Sequence, residues 1–137
     1  MEFEDCTILI VDDNEAFLAL FTRYLGDFNF RTILTAEDGN AAISVIQGQR
    51  VDLILSDWDM PGLDGLELLR WVRSNENTVH LPFIIMTART EEEDRLEAMK
   101  ARVTDFIVKP FSPNAMLDKL RNALSPRLEA ALELVLK

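Results

Sequence analysis

The sequence predicts an α/β fold in which a five-stranded parallel sheet carries helices on both faces. Five short apolar runs alternate along the chain with five stretches whose apolar residues recur at helical spacing. The runs are apolar almost throughout, as in strands that are covered on both faces. The chain has 137 residues, of which 48% are hydrophobic, and a chain of this size forms one ordinary core.

The composition limits the partners and the compartment that can be expected. Lys and Arg total 14 against 24 Asp and Glu, so the net charge of −10 disfavours nucleic acid and anionic membranes as partners. Cys6 is the only cysteine, and the N-terminal Met-Glu-Phe-Glu-Asp sequence lacks the basic and apolar regions of a signal peptide. No apolar stretch approaches the ~20 residues of a spanning helix. A cytoplasmic protein is predicted.

The first two strands are predicted over Thr7 to Val11 and Arg31 to Ala36. Asn14 and Asp38 are suited to cap the helices that follow, and Gly26 is placed to end the first helix. That helix is expected to bury one apolar face, made of Phe17, Leu20, Phe21, Tyr24 and Leu25. The second helix is expected to bury Ala42, Val45 and Ile46. The phenylalanine rings here are interpreted as core, namely Phe17, Phe21 and Phe28.

The third apolar run, Leu53 to Leu55, leads to Asp57 and then to two turn signals, Pro61-Gly62 and Asp64-Gly65. Taken alone, Asp57 could simply cap a turn. The third helix is expected to bury Leu66, Leu69, Trp71 and Val72.

The fourth and fifth strands are predicted over Phe83 to Met86 and Asp105 to Val108. Four acids, Glu91 to Asp94, open the fourth helix, where they favour its positive end. Its inner stripe is predicted as Leu96, Met99 and Val103. Ser112 and Pro113 fit the cap and first position of the fifth helix. Its buried side is predicted as Met116, Leu117, Leu120 and Leu124.

A short extra helix is predicted at the C-terminus. Ser125 and Pro126 repeat the cap and first-position signal, and apolar residues then follow helical spacing at Leu128, Ala131, Leu132, Val135 and Leu136. We therefore divide the chain into a domain over residues 1–124 and a helical extension over residues 125–137. A helix of this length is unstable alone in water, so it must pack on its own domain or pair with another subunit.

Polar residues stand at the ends of four predicted strands. Asp12 and Asp13 follow the first strand, and Asp57 follows the third. Thr87 follows the fourth strand and Lys109 the fifth. The carboxyl ends of parallel strands meet at one edge of a sheet, where ligands bind. Clustered carboxylates repel one another unless a hard cation such as Mg²⁺ lies among them, and a lysine with a hydroxyl suits a phosphoryl group.

Four short motifs occur in a specific order, Ile10-Val-Asp12-Asp13, Leu55-Ser-Asp57-Trp-Asp-Met-Pro61-Gly-Leu-Asp-Gly65, Met86-Thr87-Ala88 and Phe106-Ile-Val-Lys109-Pro110-Phe111. In this order and spacing they resemble the receiver domains of two-component response regulators, from about Thr7 to Leu124. The resemblance implies a flavodoxin-like sheet with strand order 2-1-3-4-5. It also implies a signalling module rather than an enzyme.

The resemblance implies that Asp57 accepts phosphate from the phosphohistidine of a sensor histidine kinase or a phosphotransfer protein. Mg²⁺ would be bound by Asp13, Asp57 and the backbone carbonyl of Asp59, with Asp12 acting mainly through water. The partner that receives the signal is not specified by these motifs.

The resemblance also implies roles for Lys109, Thr87 and Phe106. By resemblance, Lys109 and Thr87 each hold a phosphoryl oxygen. As Thr87 moves, Phe106 turns inward and alters the surface of the fourth helix, fifth strand and fifth helix. The alternative is that Phe106 is permanently buried core. This face is also one that receivers use to form dimers, so a homodimer is expected.

The chain departs from the family pattern at a few positions. Arg102 stands where receivers often have a glycine suited to positive φ, so the end of the fourth helix is expected to differ in shape. Arg89 and Asp59 flank the expected path of attacking water, at positions that vary between receivers. Lys109-Pro110 is a cis peptide in many receivers, which aims the lysine.

Two other functions compete with this interpretation. Asp57-Trp-Asp59 also matches the paired acids of haloacid-dehalogenase-type phosphatases, but in that family the nucleophile strand comes first, whereas here Asp12-Asp13 precede it. The other competitor is a receiver fold that is not phosphorylated and acts only as a docking module. The presence of every acid, hydroxyl and lysine of the proposed site argues against it.

Overall fold

The computed structural model describes the backbone of residues 3–136 and the side chains of residues 3–126. The elements in chain order are β1 Thr7–Val11, α1 Glu15–Asp27, β2 Thr32–Ala36, α2 Gly39–Gly48, β3 Leu53–Asp57, α3 Gly65–Ser74, β4 Phe83–Thr87, α4 Glu92–Lys100, β5 Asp105–Val108 and α5 Pro113–Leu136. The strands form one sheet in the order β2-β1-β3-β4-β5, and every neighbouring pair is parallel. The predicted fold class and strand order are confirmed.

Alternate residues of each strand face two separate cores. Ile8 and Ile10 of β1 face a core built with α1 and α5, whereas Leu9 and Val11 face a core built with α2, α3 and α4. Both faces of the central strands are therefore buried, which explains why their sequences are apolar throughout rather than alternating. No described helix is long and apolar enough to cross a membrane.

Helix α1 is rotated relative to the prediction. It buries Leu18, Phe21 and Leu25, while Phe17 and Leu20 are 40% and 39% exposed. The apolar residues of α1 cover more than half of its circumference, so their spacing alone does not identify the side that meets the sheet. Phe17 was predicted as core, and that prediction is wrong.

The ends of α1 and α4 also differ from the prediction. Helix α1 continues past Gly26 to Asp27, and Asn29 supplies the left-handed turn at φ 73°. Asparagine tolerates this conformation better than most residues. Arg102 likewise adopts a positive φ of 65° after α4. The helix end therefore has the shape that a glycine would give, and the expected difference in shape is wrong.

Helix α4 buries Ala98 alone, so the predicted inner stripe is wrong. Leu96 and Met99 are 46% and 60% exposed. The small Ala98 side chain lets the helix backbone lie close to the sheet, and Val103 packs against the same core from beyond the helix end.

Residues 125–136 are helical, but they continue α5 instead of starting a separate helix. Pro126 lies inside the helix and cannot donate a hydrogen bond to the carbonyl of Asn122, four residues earlier. The hydroxyl of Ser125 donates to this carbonyl at 3.3 Å and replaces part of the missing bond. The predicted apolar stripe from Leu128 to Leu136 lies outside the residues whose side chains are described.

Candidate functional site

The predicted site residues meet at the carboxyl edge of the sheet. Asp12 and Asp13 follow β1, Asp57 ends the adjacent β3, and these strands are paired in register from Ile8 to Val11. Thr87 ends β4, which pairs with β3 on its other side. Strand β5 then leads to Lys109, whose backbone N–H donates to the Thr87 carbonyl at 2.9 Å.

Three carboxylates form a cluster suited to a cation. One oxygen from each of Asp12, Asp13 and Asp57 lies within 4.8 Å of the others. Asp12 is buried, Asp57 is half-buried and Asp13 is exposed. The backbone N–H of Asn14 donates to Asp12 Oδ1 at 2.9 Å and fixes that carboxylate. A set of hard oxygen ligands open to solvent on one side fits Mg²⁺, which retains several waters.

Lys109 supplies the positive charge next to these acids. Its Nζ donates to Asp12 Oδ2 at 2.9 Å and lies 3.4 Å from Asp57 Oδ1. The Lys109 side chain is only 16% exposed. On its other side, the ammonium lies 4.6 Å from the centre of the Phe17 ring. The sequence predicted the lysine but not this aromatic neighbour.

Burial raises the pKa of Asp57 from 3.8 to about 6. The nearby carboxylates of Asp12 and Asp13 contribute to this increase, while the charge and hydrogen bond of Lys109 oppose it. The positive charge of Lys109 therefore does not fully offset the effects of burial and of the neighbouring acids on the Asp57 carboxylate. A bound divalent cation would favour the ionised form.

Thr87 and Phe106, which are predicted to form a switch, lie on the neighbouring strands β4 and β5. Thr87 is buried, and its Oγ1 accepts a hydrogen bond from the Arg89 N–H at 2.9 Å, which leaves the hydroxyl proton available. Phe106 is half-buried against the core under α4, and the Arg95 guanidinium lies 5.3 Å from its ring centre. The Lys109-Pro110 peptide is cis, as the resemblance implied.

The mouth of the site is crossed by Arg89. Its guanidinium pairs with the Asp59 carboxylate, lies 3.4 Å from Asp94 and stacks 4.7 Å from the centre of the Trp58 ring. Trp58 is only 3% exposed, so its ring packs in the core beneath Arg89. The Asp59 side chain faces Arg89 and is not one of the three clustered carboxylates.

Gly65 brings α3 directly against the backbone of the site. A Cβ added at Gly65 would overlap the Asp57 carbonyl and lie 2.9 Å from the Trp58 Cα. Its N–H donates to the Trp58 carbonyl at 2.8 Å. The sequence predicts the Asp64-Gly65 pair only as a turn, because turn residues do not indicate which backbone the chain approaches.

A doubly wound parallel sheet with clustered acids, a lysine and a hydroxyl at its carboxyl edge defines an α/β protein suited to Mg²⁺ and phosphoryl groups. The profile of the response regulator receiver domain matches residues 8–121. The chain therefore belongs to the response regulator receiver domain family. Receiver domains are signalling modules that interact with histidine kinases and downstream effectors and bind Mg²⁺ in their acidic site.

Individual relatives agree with this assignment. The chain is 35% identical to the chemotaxis protein CheY of Pseudomonas aeruginosa over 113 residues, which cover 82% of this chain and 91% of CheY. The structure of CheY4 from Vibrio cholerae has a TM-score of 0.82 and 31% identity, covering 87% of this chain and 98% of that chain. The receiver domain of the sensor histidine kinase PA1611 from Pseudomonas aeruginosa, described with magnesium coordinated in its active site cleft, has a TM-score of 0.80 and 30% identity, covering 88% and 98%. Membership of the receiver family removes the phosphatase alternative.

Proposed function

We propose that Asp57 accepts a phosphoryl group from the phosphohistidine of a sensor histidine kinase or a phosphotransfer protein, and that this modification changes the partner-binding face. The observation that carries the proposal is the Asp12, Asp13 and Asp57 cluster with Lys109 beside it. Among these acids, Asp57 is the one that ends the central strand of the sheet.

Each residue has a distinct part in the proposed transfer. An ionised Asp57 oxygen attacks phosphorus in line and the bond from phosphorus to the imidazole nitrogen breaks. The imidazole leaves with the electron pair and is neutral because its other ring nitrogen carries a proton. Lys109, which is already 3.4 Å from Asp57, holds one phosphoryl oxygen. The buried Thr87 hydroxyl donates its free proton to another.

Mg²⁺ would be held by Asp13, Asp57 and the backbone carbonyl of Asp59, with Asp12 acting mainly through water. When bound, it neutralises the repulsion between the carboxylate and the incoming dianion. The three carboxylates within 4.8 Å support this assignment.

In the proposed switch, the movement of Phe106 changes the partner-binding face. When Thr87 turns toward the phosphoryl group it vacates space beside β4, and Phe106, on the neighbouring β5, turns into that space. The Arg95 guanidinium that lies over the ring loses its contact, so the surface of α4 and β5 changes. A downstream protein that binds one form of this surface reads the phosphorylation state. The cytoplasmic location and the division at residue 124 stay predictions.

Labelling with acetyl phosphate tests the phosphorylation site. We expect wild-type protein to incorporate phosphate in the presence of Mg²⁺, and Asp57→Asn to abolish incorporation because it removes the attacking oxygen. Asp59→Asn is the matched control, since it changes the same functional group two residues away, and it should still be labelled. Undiminished labelling of Asp57→Asn would move the acceptor elsewhere. An unlabelled wild-type protein would instead favour a docking module.

A further inference from the structure

The aromatic ring of Phe17 lies against the ammonium of Lys109. The Nζ atom is 4.6 Å from the Phe17 ring centre, within the ~6 Å at which a cation is attracted to a ring face. Phe17 stacks in turn on Phe21, with ring centres 5.7 Å apart and planes inclined by 8°. Phe21 stacks on Phe111, two residues after the lysine, at 5.2 Å. The rings form a column beneath and beside Lys109.

Packing in the core does not account for this position of Phe17. Its side chain is 40% exposed, whereas Phe21 on the next turn is buried at 4%. Leu20 on the same helix is almost equally exposed at 39%, but no cation contact is formed there. Together with its stacking on Phe21, the contact with Lys109 therefore distinguishes Phe17 from an ordinary apolar residue on the exposed side of α1.

We propose that Phe17 is a positioning residue for Lys109, holding its ammonium at the edge of the acidic cluster through a cation–π contact. This inference rests on the proposed function, because it assigns Lys109 to a phosphoryl oxygen. The ammonium has a carboxylate of Asp12 on one side and the ring on the other. The ring attracts the cation without forming an ion pair that would have to break. Lys109 can therefore leave Asp12 for an incoming oxygen while it keeps its contact with Phe17.

Acetyl phosphate again provides a simple donor for the test. An Asp57 oxygen attacks phosphorus, and acetate leaves with the electron pair of the broken phosphorus–oxygen bond, so no proton has to be supplied. Phe17→Leu keeps an apolar side chain but removes the ring. We expect the labelling rate to fall about threefold to tenfold, the size of a partly desolvated cation–π contact. Phe17→Tyr and Phe17→Trp keep a ring and should restore the rate.

A second measurement detects the contact itself, independently of activity. The chain has only four lysines, so selective ¹³C labelling gives a simple spectrum in which Lys109 is assigned by the signal lost in Lys109→Arg. Protons above an aromatic face are shifted upfield. The Lys109 side-chain signal should show this shift in the wild type and keep it in Leu20→Ala. It should lose most of the shift in Phe17→Leu, because the remaining Phe21 ring is farther from Nζ, at 6.0 Å. As a control for stability, urea unfolding should give the same midpoint for Phe17→Leu and Leu20→Ala, so that a difference between their signals reflects the ring and not unfolding.

The possible results separate the two proposals. A Lys109 signal that is unchanged in Phe17→Leu, or a wild-type labelling rate in that variant, would overturn the positioning role while leaving Asp57 as the acceptor. A rate that falls equally in Phe17→Leu and Phe17→Trp would also overturn it, because the ring would not matter. If the signal moves but wild-type protein is never labelled, the contact stands and its role in phosphoryl transfer fails together with the proposed function.

Discussion

The environment that suits Asp57 to phosphoryl transfer also lowers the stability of the folded protein. Burial and two neighbouring acids raise its pKa to about 6, compared with 3.8 for an exposed carboxyl. The folded state therefore binds a proton more tightly than the unfolded state does. Stability falls as the pH rises from about 4 to about 6, and the loss persists above that range.

Replacing this carboxylate should stabilise the metal-free protein. In EDTA we expect Asp57→Asn to raise the free energy of unfolding at pH 8, by at most roughly 3 kcal/mol, because each unit of pKa shift corresponds to 1.36 kcal/mol. The gain should be smaller at pH 5, where folded wild-type Asp57 is mostly protonated. Urea unfolding at both pH values measures it. A gain that is equal at pH 5 and pH 8 would contradict the titration of Asp57 as its cause.

Single residues of the site were predictable where topology alone decides their position. Asp12, Asp57 and Lys109 each follow an apolar run, and parallel strands necessarily bring such residues to the same edge. Phe17 and Gly65 could not be found in this way. The role of Phe17 depends on the rotation of α1, and that of Gly65 depends on how the loop after β3 folds back on the backbone of Asp57 and Trp58.

At the scale of elements, α4 is held to the sheet less firmly than its neighbours. It buries only Ala98, whereas α3 buries five residues. Its first residue is preceded by Glu91, whose side chain makes no capping hydrogen bond, while Asp64 and Glu67 form a complete capping box at α3. Few buried contacts and a weak cap are the features of a segment that opens locally at low cost. Helix α4 is therefore the element of the proposed output face that moves most easily.

Paired truncations should expose this difference. Met99→Ala in α4 is expected to change the free energy of unfolding by less than about 0.5 kcal/mol, since Met99 is 60% exposed. Leu68→Ala in α3 removes a fully buried side chain and should cost about 2–5 kcal/mol. Denaturant titration of both variants provides the comparison. A large loss for Met99→Ala would mean that α4 packs more tightly than its burial indicates.

The rotation of helices accounts for most of what the sequence did not predict. Strand positions and the strand order followed from apolar runs and from the resemblance. In α4, however, Leu96, Ala98 and Met99 point in three directions around a short helix. Spacing then gives no preferred side, and the packing of the small alanine decides which residues face the sheet.

At the scale of the whole molecule, α5 stands out by its length. It is a helix of 24 residues, whereas the other helices have 9 to 13. Its residues Met116, Leu120 and Leu124 belong to the core, so the helix is anchored up to that point. We propose that residues 125–137 serve self-association, because they extend α5 beyond the core residue Leu124 and carry apolar residues at helical spacing.

Deletion of residues 125–137 tests this proposal. We expect the full-length protein to dimerise when beryllofluoride replaces the phosphoryl group, and the shortened protein to remain monomeric, as measured by light scattering. The anchored part of α5 is unchanged, so both proteins should fold. If full-length and shortened proteins are equally monomeric with and without beryllofluoride, self-association through this segment is wrong and it serves only its own domain.

Helix α5 continues through Pro126 without a break and so forms one long rod. At about 1.5 Å per residue the helix is roughly 36 Å long, and it begins at Pro113, four residues after Lys109. A tilt of about 10° around its first turn displaces the far end by roughly 6 Å at this length. A tilt that began beside Lys109 would therefore reach a partner as a displacement comparable to a full turn of helix, and it would require Met116, Leu120 and Leu124 to move with the helix in the core.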